Sequence, residues 1–82
     1  MFLEVKDAKY LKGFELLVEF NNGVIKTVDL SDDLDGEIFQ PLKEISYFKN
    51  FSIKFNTIEW ENGADFAPEY LYEKGIAASL IE

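Results

Sequence analysis

The sequence predicts a small α+β domain: a mostly antiparallel sheet of about five strands (β-β-β, short helices, β-β, helix) with the helices packed on one face. Two pairs of segments with alternating apolar and polar residues predict β-hairpins. Glycine and proline stand between the periodic segments, where turns and helix starts are expected. At 82 residues, the chain has the length of a single domain.

The first half of the chain predicts three strands. The apolar alternation of residues 3–11 changes phase, and a bulge near Lys6-Asp7 would reconcile its two halves. Residues 14–20 alternate clearly, and residues 24–30 are rich in β-branched side chains. Between them, Asn22-Gly23 tolerates the positive φ angles of a tight turn, which makes an antiparallel hairpin the most secure expectation.

A pair of short helical turns is expected in the middle of the chain. Pro41 suits a first helical turn, so a short helix should start there and carry Leu42 and Ile45 on one face. Ser46 is expected to cap a second turn that buries nearby aromatic residues.

The second predicted hairpin follows these turns. In residues 51–55 the apolar side chains are at positions 51, 53 and 55. In residues 58–60 they are at positions 58 and 60, on either side of Glu59. Asn56-Thr57 is the expected turn between the two strands.

The last predicted element is a helix. Asp65 is expected to cap it, with Pro68 and Glu69 in the first turn and Gly75 at its end. We therefore expect one α+β domain over residues 1–75 and an apolar tail without assignment over residues 76–82.

Composition excludes several classes of function. The net charge is −8, from 16 acidic residues and 8 lysines without any arginine, which argues against direct nucleic-acid binding. The chain has neither Cys nor His, so thiol chemistry, disulfides and the commonest general base are absent. The N-terminus has no signal-peptide pattern, and no apolar run is long enough to span a bilayer. A cytoplasmic protein with no membrane contact, no cofactor and no enzymatic activity is expected.

Motifs that could carry chemistry are weak. In a calcium-loop register, Asp33 and Asp35 would be ligands, but the final bidentate position falls on Leu42. Carboxylate pairs occur by chance among so many acids, and Ser46 with Lys49 matches a short nucleophile–base spacing only at the level of chance. All five glycines are isolated, so there is no phosphate-binding loop.

The densest pattern lies between Trp60 and Leu71. A structural interpretation accounts for each residue locally: the tryptophan anchors the core, Asn-Gly turns the chain, and Asp and Pro start the helix. A functional interpretation places an exposed edge here for a partner or a small ligand. The candidate interaction residues are Trp60, Asn62, Asp65, Phe66 and Tyr70.

The string Trp-Glu-Asn-Gly-Ala-Asp-Phe-Ala-Pro-Glu-Tyr-Leu at 60–71 resembles the bacterial domain-of-unknown-function family 2442. Residues 5–11 and the hairpin of residues 16–30 fit the same family, so the resemblance covers about residues 3–75. It implies a compact α+β domain without an established activity. Some relatives carry an added helix-turn-helix domain, for which this chain is too short. Others are encoded beside a small uncharacterised protein, which implies an antitoxin-like role.

These observations favour a protein-interaction module, antitoxin-like or regulatory, whose acidic surface binds another small protein of basic character. The alternative is a small-ligand-binding domain that uses the region from Trp60 to Tyr70. A homodimer is also expected, because the edges of the sheet and the apolar tail need a contact.

Overall fold

The computed structural model describes residues 2–78, which form two antiparallel sheets and three short helices. The four-stranded sheet has the order β1-β2-β3-β7, and the three-stranded sheet has the order β4-β5-β6. The α+β class is confirmed, with the strands divided between two sheets. The elements are β1 (Val5–Lys12), β2 (Glu15–Phe20), β3 (Ile25–Asp29), a 3₁₀ helix (Glu37–Lys43), α1 (Ile45–Phe48), β4 (Ser52–Lys54), β5 (Thr57–Glu59), β6 (Asp65–Phe66), α2 (Pro68–Lys74) and β7 (Ile76–Ala77).

The first predicted hairpin is confirmed as β2 and β3. Leu16, Val18 and Phe20 are buried, whereas the residues between them are half-buried on the other face of the sheet. Gly23 adopts a φ of 89° in the connecting turn, which glycine reaches without steric cost. The hairpin therefore follows from local sequence alone.

The expected bulge in β1 is also confirmed. The pairing of β1 with β2 shifts register between Val5 and Asp7, so the bulge lies at Lys6. A second shift occurs between Tyr10 and Lys12. These shifts let Val5 face the core although the apolar alternation of β1 changes phase.

The helical turns differ from the prediction. The first is a 3₁₀ helix that begins at Glu37 and contains Pro41 in its interior. Proline lacks the N–H that a continuous α-helix would need at this position. Leu42 is buried, but Ile45 lies in the separate helix α1 and is exposed. Ser46 lies inside α1 and is not its cap; Glu44 holds that position without a side-chain hydrogen bond.

The second hairpin is present, but its turn is one residue earlier than expected. Lys54 pairs with Thr57, so Phe55 and Asn56 form the turn. Their φ angles are 51° and 70°, and the Phe55 side chain is 91% exposed. A left-handed conformation costs a non-glycine residue about 1–2 kcal/mol. Phe55, which the alternation assigned to the strand, therefore lies in the turn.

The C-terminal helix α2 begins with Pro68 and ends before Gly75. Its end is as predicted, but its start lies two residues later than a cap at Asp65 implies. Asp65 does not cap it, because this residue lies in β6 and Ala67 takes the N-cap position. Beyond the helix, β7 pairs with β3, so the start of the expected tail completes the sheet. The rest of that tail, residues 79–82, lies outside the described residues.

Both sheets contribute to a single core. Phe20 from the four-stranded sheet, Ile58 from β5, Leu71 from α2 and Trp60 belong to one buried cluster. The Val5 N–H donates to the Asn56 carbonyl oxygen at 2.9 Å, which ties the start of β1 to the turn of the second hairpin. None of the helices in the described part of the chain has the length and apolar composition needed to cross a membrane.

Candidate interaction surface

The segment from Trp60 to Tyr70 begins with a tight turn. Gly63 has a φ of 91° and donates its N–H to the Trp60 carbonyl oxygen, while the Trp60 N–H bonds the Ala64 carbonyl oxygen. The Asn62 side chain accepts a hydrogen bond from the Ala64 N–H at 3.1 Å. Asn-Gly forms this turn because the amide caps the backbone and glycine takes the positive φ.

Trp60 lies in the core and not on an exposed edge. Its side chain is 2% exposed, and its indole N–H donates to the Phe48 carbonyl oxygen at 2.6 Å. The rings of Phe48, Phe51 and Phe66 surround it, with centroids 5.6, 6.3 and 6.0 Å away. This burial agrees with the structural interpretation, in which Trp60 anchors the core, because a large ring with one satisfied donor stabilises a small core more than it would a surface.

Phe66 is also buried, at 8% exposure, and forms the middle of an aromatic stack. Its ring is stacked on Phe39 at a centroid distance of 4.9 Å and on Tyr70 at 5.8 Å, with interplanar angles of 14° in both cases. The stack joins the 3₁₀ helix, β6 and α2. We call the contact between residues 31–39 and residues 60–70 the seam.

A shared carboxylate strengthens the seam. The Tyr70 hydroxyl donates to Asp33 Oδ1, and Lys74 Nζ lies 3.1 Å from Asp33 Oδ2. Oδ2 is buried and accepts no well-aligned hydrogen bond. The ion pair with Lys74 therefore offsets the cost of removing this oxygen from water. The Asp33 side chain is 12% exposed. Asp33 therefore holds the acidic loop to α2 and is not available as the calcium ligand considered above.

The same contact shifts two titrating groups. The hydrogen bond to Asp33 raises the pKa of the Tyr70 hydroxyl above its ordinary value, with burial as the next cause. Contact with Asp33 also raises the pKa of the Lys74 ammonium. Tyr70 consequently remains a protonated hydrogen-bond donor at neutral pH, which does not suit a general base.

Asn62 and Asp65 complete the set of predicted residues, and both are exposed. The Asn62 side-chain amide donates to the Ile38 carbonyl oxygen at 2.8 Å, so it adds a further bond across the seam. Asp65 lies on β6 next to Phe66 and turns away from the core. The structure thus places Asn62 and Tyr70 in contacts across the seam, whereas Asp65 points to the side of β6 opposite to Phe66.

The negative charge of the protein is concentrated in the segments that meet here. Residues 29–42 contain five acidic residues, residues 59–73 contain five more, and neither range contains a lysine. In residues 1–28, four acidic residues are balanced by four lysines. We define the acidic face as the exposed carboxylates within the two segments that form the seam, residues 31–39 and 60–70, which are those of Asp32, Asp35, Glu37, Glu61, Asp65 and Glu69.

Two partly exposed apolar side chains lie within the acidic face. Ile38 is 47% exposed and Tyr70 is 43% exposed. Ile38 and the loop carboxylates were not among the candidate residues predicted from the sequence, although a count of lysines along the chain separates the acid-rich segments from the neutral ones. Nothing in the local pattern indicated that Asp33 would meet Tyr70, because 37 positions separate them.

A shallow hollow lies elsewhere, on the outer face of the four-stranded sheet. Its volume is about 130 Å³, and Asp7, Lys9, Leu17 and Ile25 are among its lining residues. Ligand pockets usually have a volume of about 300–1,000 Å³. None of the candidate residues lines it, so it lends no support to the small-ligand alternative. Within residues 2–78, no group of three or more acidic side chains is arranged to hold a metal ion.

Two sheets, a shared aromatic core and an acidic seam define the chain as a small α+β domain with one strongly charged side. It belongs to the family described as protein of unknown function DUF2442, which matches residues 5–77. The match includes β7, two residues beyond the expected end of the domain. No curated protein and no solved structure matches the chain.

Proposed function

We propose that this protein is a non-enzymatic interaction module whose acidic face binds a small basic protein. The observation that carries the proposal is the charge distribution: ten of the sixteen acidic residues lie in two lysine-free segments that the seam brings together. A predominantly negative surface of this kind attracts an oppositely charged partner and accelerates its association.

The apolar residues of the acidic face give the proposed contact its centre. Tyr70 and Ile38 expose large side chains beside the stack on Phe66, and tyrosine is enriched among residues that dominate binding energy. The hydrogen bonds of Asn62 and Asp33 hold the backbone beneath them in place. A partner should therefore present an apolar spot surrounded by lysine or arginine.

The small-ligand alternative is less well supported by the same contacts. The indole N–H of Trp60 and the hydroxyl of Tyr70 already have protein acceptors, and the Phe66 ring is covered on both faces. A ligand at this place would have to displace these bonds before it formed its own.

The first experiment is affinity capture of the tagged protein from its native host at low salt, followed by mass spectrometry. We expect a small basic protein near stoichiometric yield that salt releases. The captured protein is then purified, and its affinity for the acidic face is measured directly.

The decisive comparison uses two variants of equal net charge. Glu61→Lys with Asp65→Lys reverses charge on the acidic face, and Glu15→Lys with Glu19→Lys reverses the same number of charges on β2. Loss of binding only in the first variant supports the proposal. Equal loss in both would show that net charge alone attracts the partner, and unchanged binding in both would refute the acidic face.

An antitoxin-like role is the more specific form of this proposal. It requires that expression of the captured partner alone arrests growth and that co-expression of this protein restores it. Restoration should fail with the Glu61→Lys, Asp65→Lys variant. A partner that is harmless when expressed alone would exclude the antitoxin-like role, and regulation through the partner would remain as the proposed role.

A further inference from the structure

The edge strand β4 has an unusual composition for a solvent-exposed strand. Its residues Ser52, Ile53 and Lys54 are all exposed, and the adjoining Phe55 is 91% exposed. β4 pairs with β5 on one side only. In the described part of the chain, the backbone of Ile53 makes no hydrogen bond outside the sheet. Exposed strand edges are templates for pairing with another strand.

The turn fixes which backbone groups are free. Lys54 and Thr57 flank the two-residue turn, so they form a hydrogen-bonded pair, and the next pair along, Ile53 with Ile58, is not hydrogen-bonded. The N–H and C=O of Ile53 therefore point away from β5, toward the open edge.

The strand and its flanking residues have a symmetric chemical pattern. Residues 51–55 read Phe-Ser-Ile-Lys-Phe: aromatic, polar, aliphatic, polar, aromatic. When β4 pairs antiparallel with its own copy about the central residue, Ile53 faces Ile53 and Ser52 faces Lys54, so no like charges stand directly opposite each other. Phe55, in the turn just beyond β4, then comes next to Phe51 of the other copy.

Phe55 has no role in the fold that explains its presence at this turn. It has a left-handed conformation with a φ of 51°, which favours asparagine or glycine. Its ring is almost fully exposed to solvent. Strain retained at an exposed position is typical of a functional contact. Phe51, by contrast, is half-buried at an edge of the core beside Trp60, where a further ring can pack on it.

The acidic charge of the protein does not oppose a second copy at this edge. Residues 43–54 contain three lysines and one glutamate, whereas the whole chain carries −8. Two copies that meet at β4 thus approach through their least acidic region. In this arrangement both copies contribute the same surface, as a two-fold symmetric dimer requires.

We infer that β4 is a self-association edge: two copies pair antiparallel about Ile53, and Phe55 of each copy packs on Phe51 of the other. The two hydrogen bonds of the Ile53 pair set the register, and the aromatic pairs supply most of the buried apolar surface. This surface is separate from the acidic face and its partner.

The test uses the full chain in sedimentation equilibrium over a series of concentrations. We expect a monomer–dimer equilibrium, which Phe55→Asn weakens at least about tenfold in Kd and Ile53→Lys abolishes. Ile76→Lys is the matched control, because Ile76 is 75% exposed on the edge strand of the other sheet. A wild-type chain that is monomeric throughout overturns the inference, as does a dimer that persists in Ile53→Lys.

A cross-link tests the register. The chain has no cysteine, so Ile53→Cys introduces a single thiol. Directly opposed residues of a hydrogen-bonded antiparallel pair have Cα atoms about 5.5 Å apart, within the range that a disulfide spans. Mild oxidation should convert Ile53→Cys to a covalent dimer and leave Ile76→Cys monomeric. Equal cross-linking of both variants, or of neither, would refute the symmetric pairing.

Discussion

The Tyr70 hydroxyl donates a hydrogen bond to the Asp33 carboxylate, and this contact ties helix α2 to the acidic loop across 37 positions of sequence. The other oxygen of that carboxylate lies 3.1 Å from Lys74 Nζ. Three residues that look like ordinary surface polar groups in the sequence thus determine where the acid-rich segments lie relative to each other. Several expectations about stability depend on this contact.

Tyr70→Phe should lower the free energy of unfolding by about 1 kcal/mol, because the lost hydrogen bond goes to a charged acceptor at a partly exposed site. The ring and its stacking on Phe66 are retained, so only the hydroxyl is tested. Urea unfolding followed by the fluorescence of Trp60 measures the change. Tyr47→Phe is the control, since no hydrogen bond of the Tyr47 hydroxyl occurs among the described residues, and an equal loss in both variants would contradict the role of Asp33.

Stability should fall at alkaline pH through the same contact. Asp33 raises the pKa of Tyr70 and of Lys74 above their ordinary values of 10.0 and 10.5. A group whose pKa is raised by folding contributes its full stability below the unfolded value and loses it as pH rises through the folded value. The melting temperature of the wild type should therefore decline above about pH 10 more steeply than that of Tyr70→Phe. Parallel curves for the two proteins would contradict the shift at Tyr70.

Phe55→Asn should stabilise the monomer by about 0.5–1 kcal/mol, because asparagine tolerates the left-handed conformation that phenylalanine resists. Thermal unfolding at low protein concentration, where self-association is negligible, measures this effect. Phe2→Asn is the control, because Phe2 is 85% exposed and does not lie in a hairpin turn. A loss of stability in Phe55→Asn would show that the ring packs within its own chain.

Trp60→Ala should destabilise the protein by about 3–5 kcal/mol, since it empties the centre of the aromatic cluster and leaves the Phe48 carbonyl oxygen without its donor. Circular dichroism follows the unfolding, as the variant lacks the tryptophan signal. Asp65→Ala, at an exposed position of β6, should change stability little. A folded, unaltered Trp60→Ala protein would place Trp60 among the functional residues after all.

Local sequence determined the elements whose signals are contained in a few adjacent residues. Asn22-Gly23 sets the first turn, the phase change near Lys6 sets the bulge, and Pro68 starts α2. The strong negative charge and the family resemblance were equally visible in the sequence. These features were predictable because each depends on backbone preferences or composition and not on distant contacts.

The second hairpin shows where local reasoning fails. Its alternation predicts a turn at Asn56-Thr57, whereas the structure turns at Phe55 and Asn56. In that register Thr57 and Ile58 are buried and the Thr57 hydroxyl bonds the Phe66 carbonyl oxygen. Contacts of β5 with the core and β6 outweigh the unfavourable conformation of Phe55, because a shift of one residue would turn the side chains of the strand to the opposite face.

The sequence by itself therefore determined the α+β class, the first hairpin, the end of the last helix and an excess of acidic charge. Only the tertiary structure decided that the strands form two sheets, that Trp60 and Phe66 lie inside, and that Asp33 meets Tyr70. The physical reason is distance along the chain: burial and long-range hydrogen bonds depend on which segments pack together, and no local preference encodes that choice.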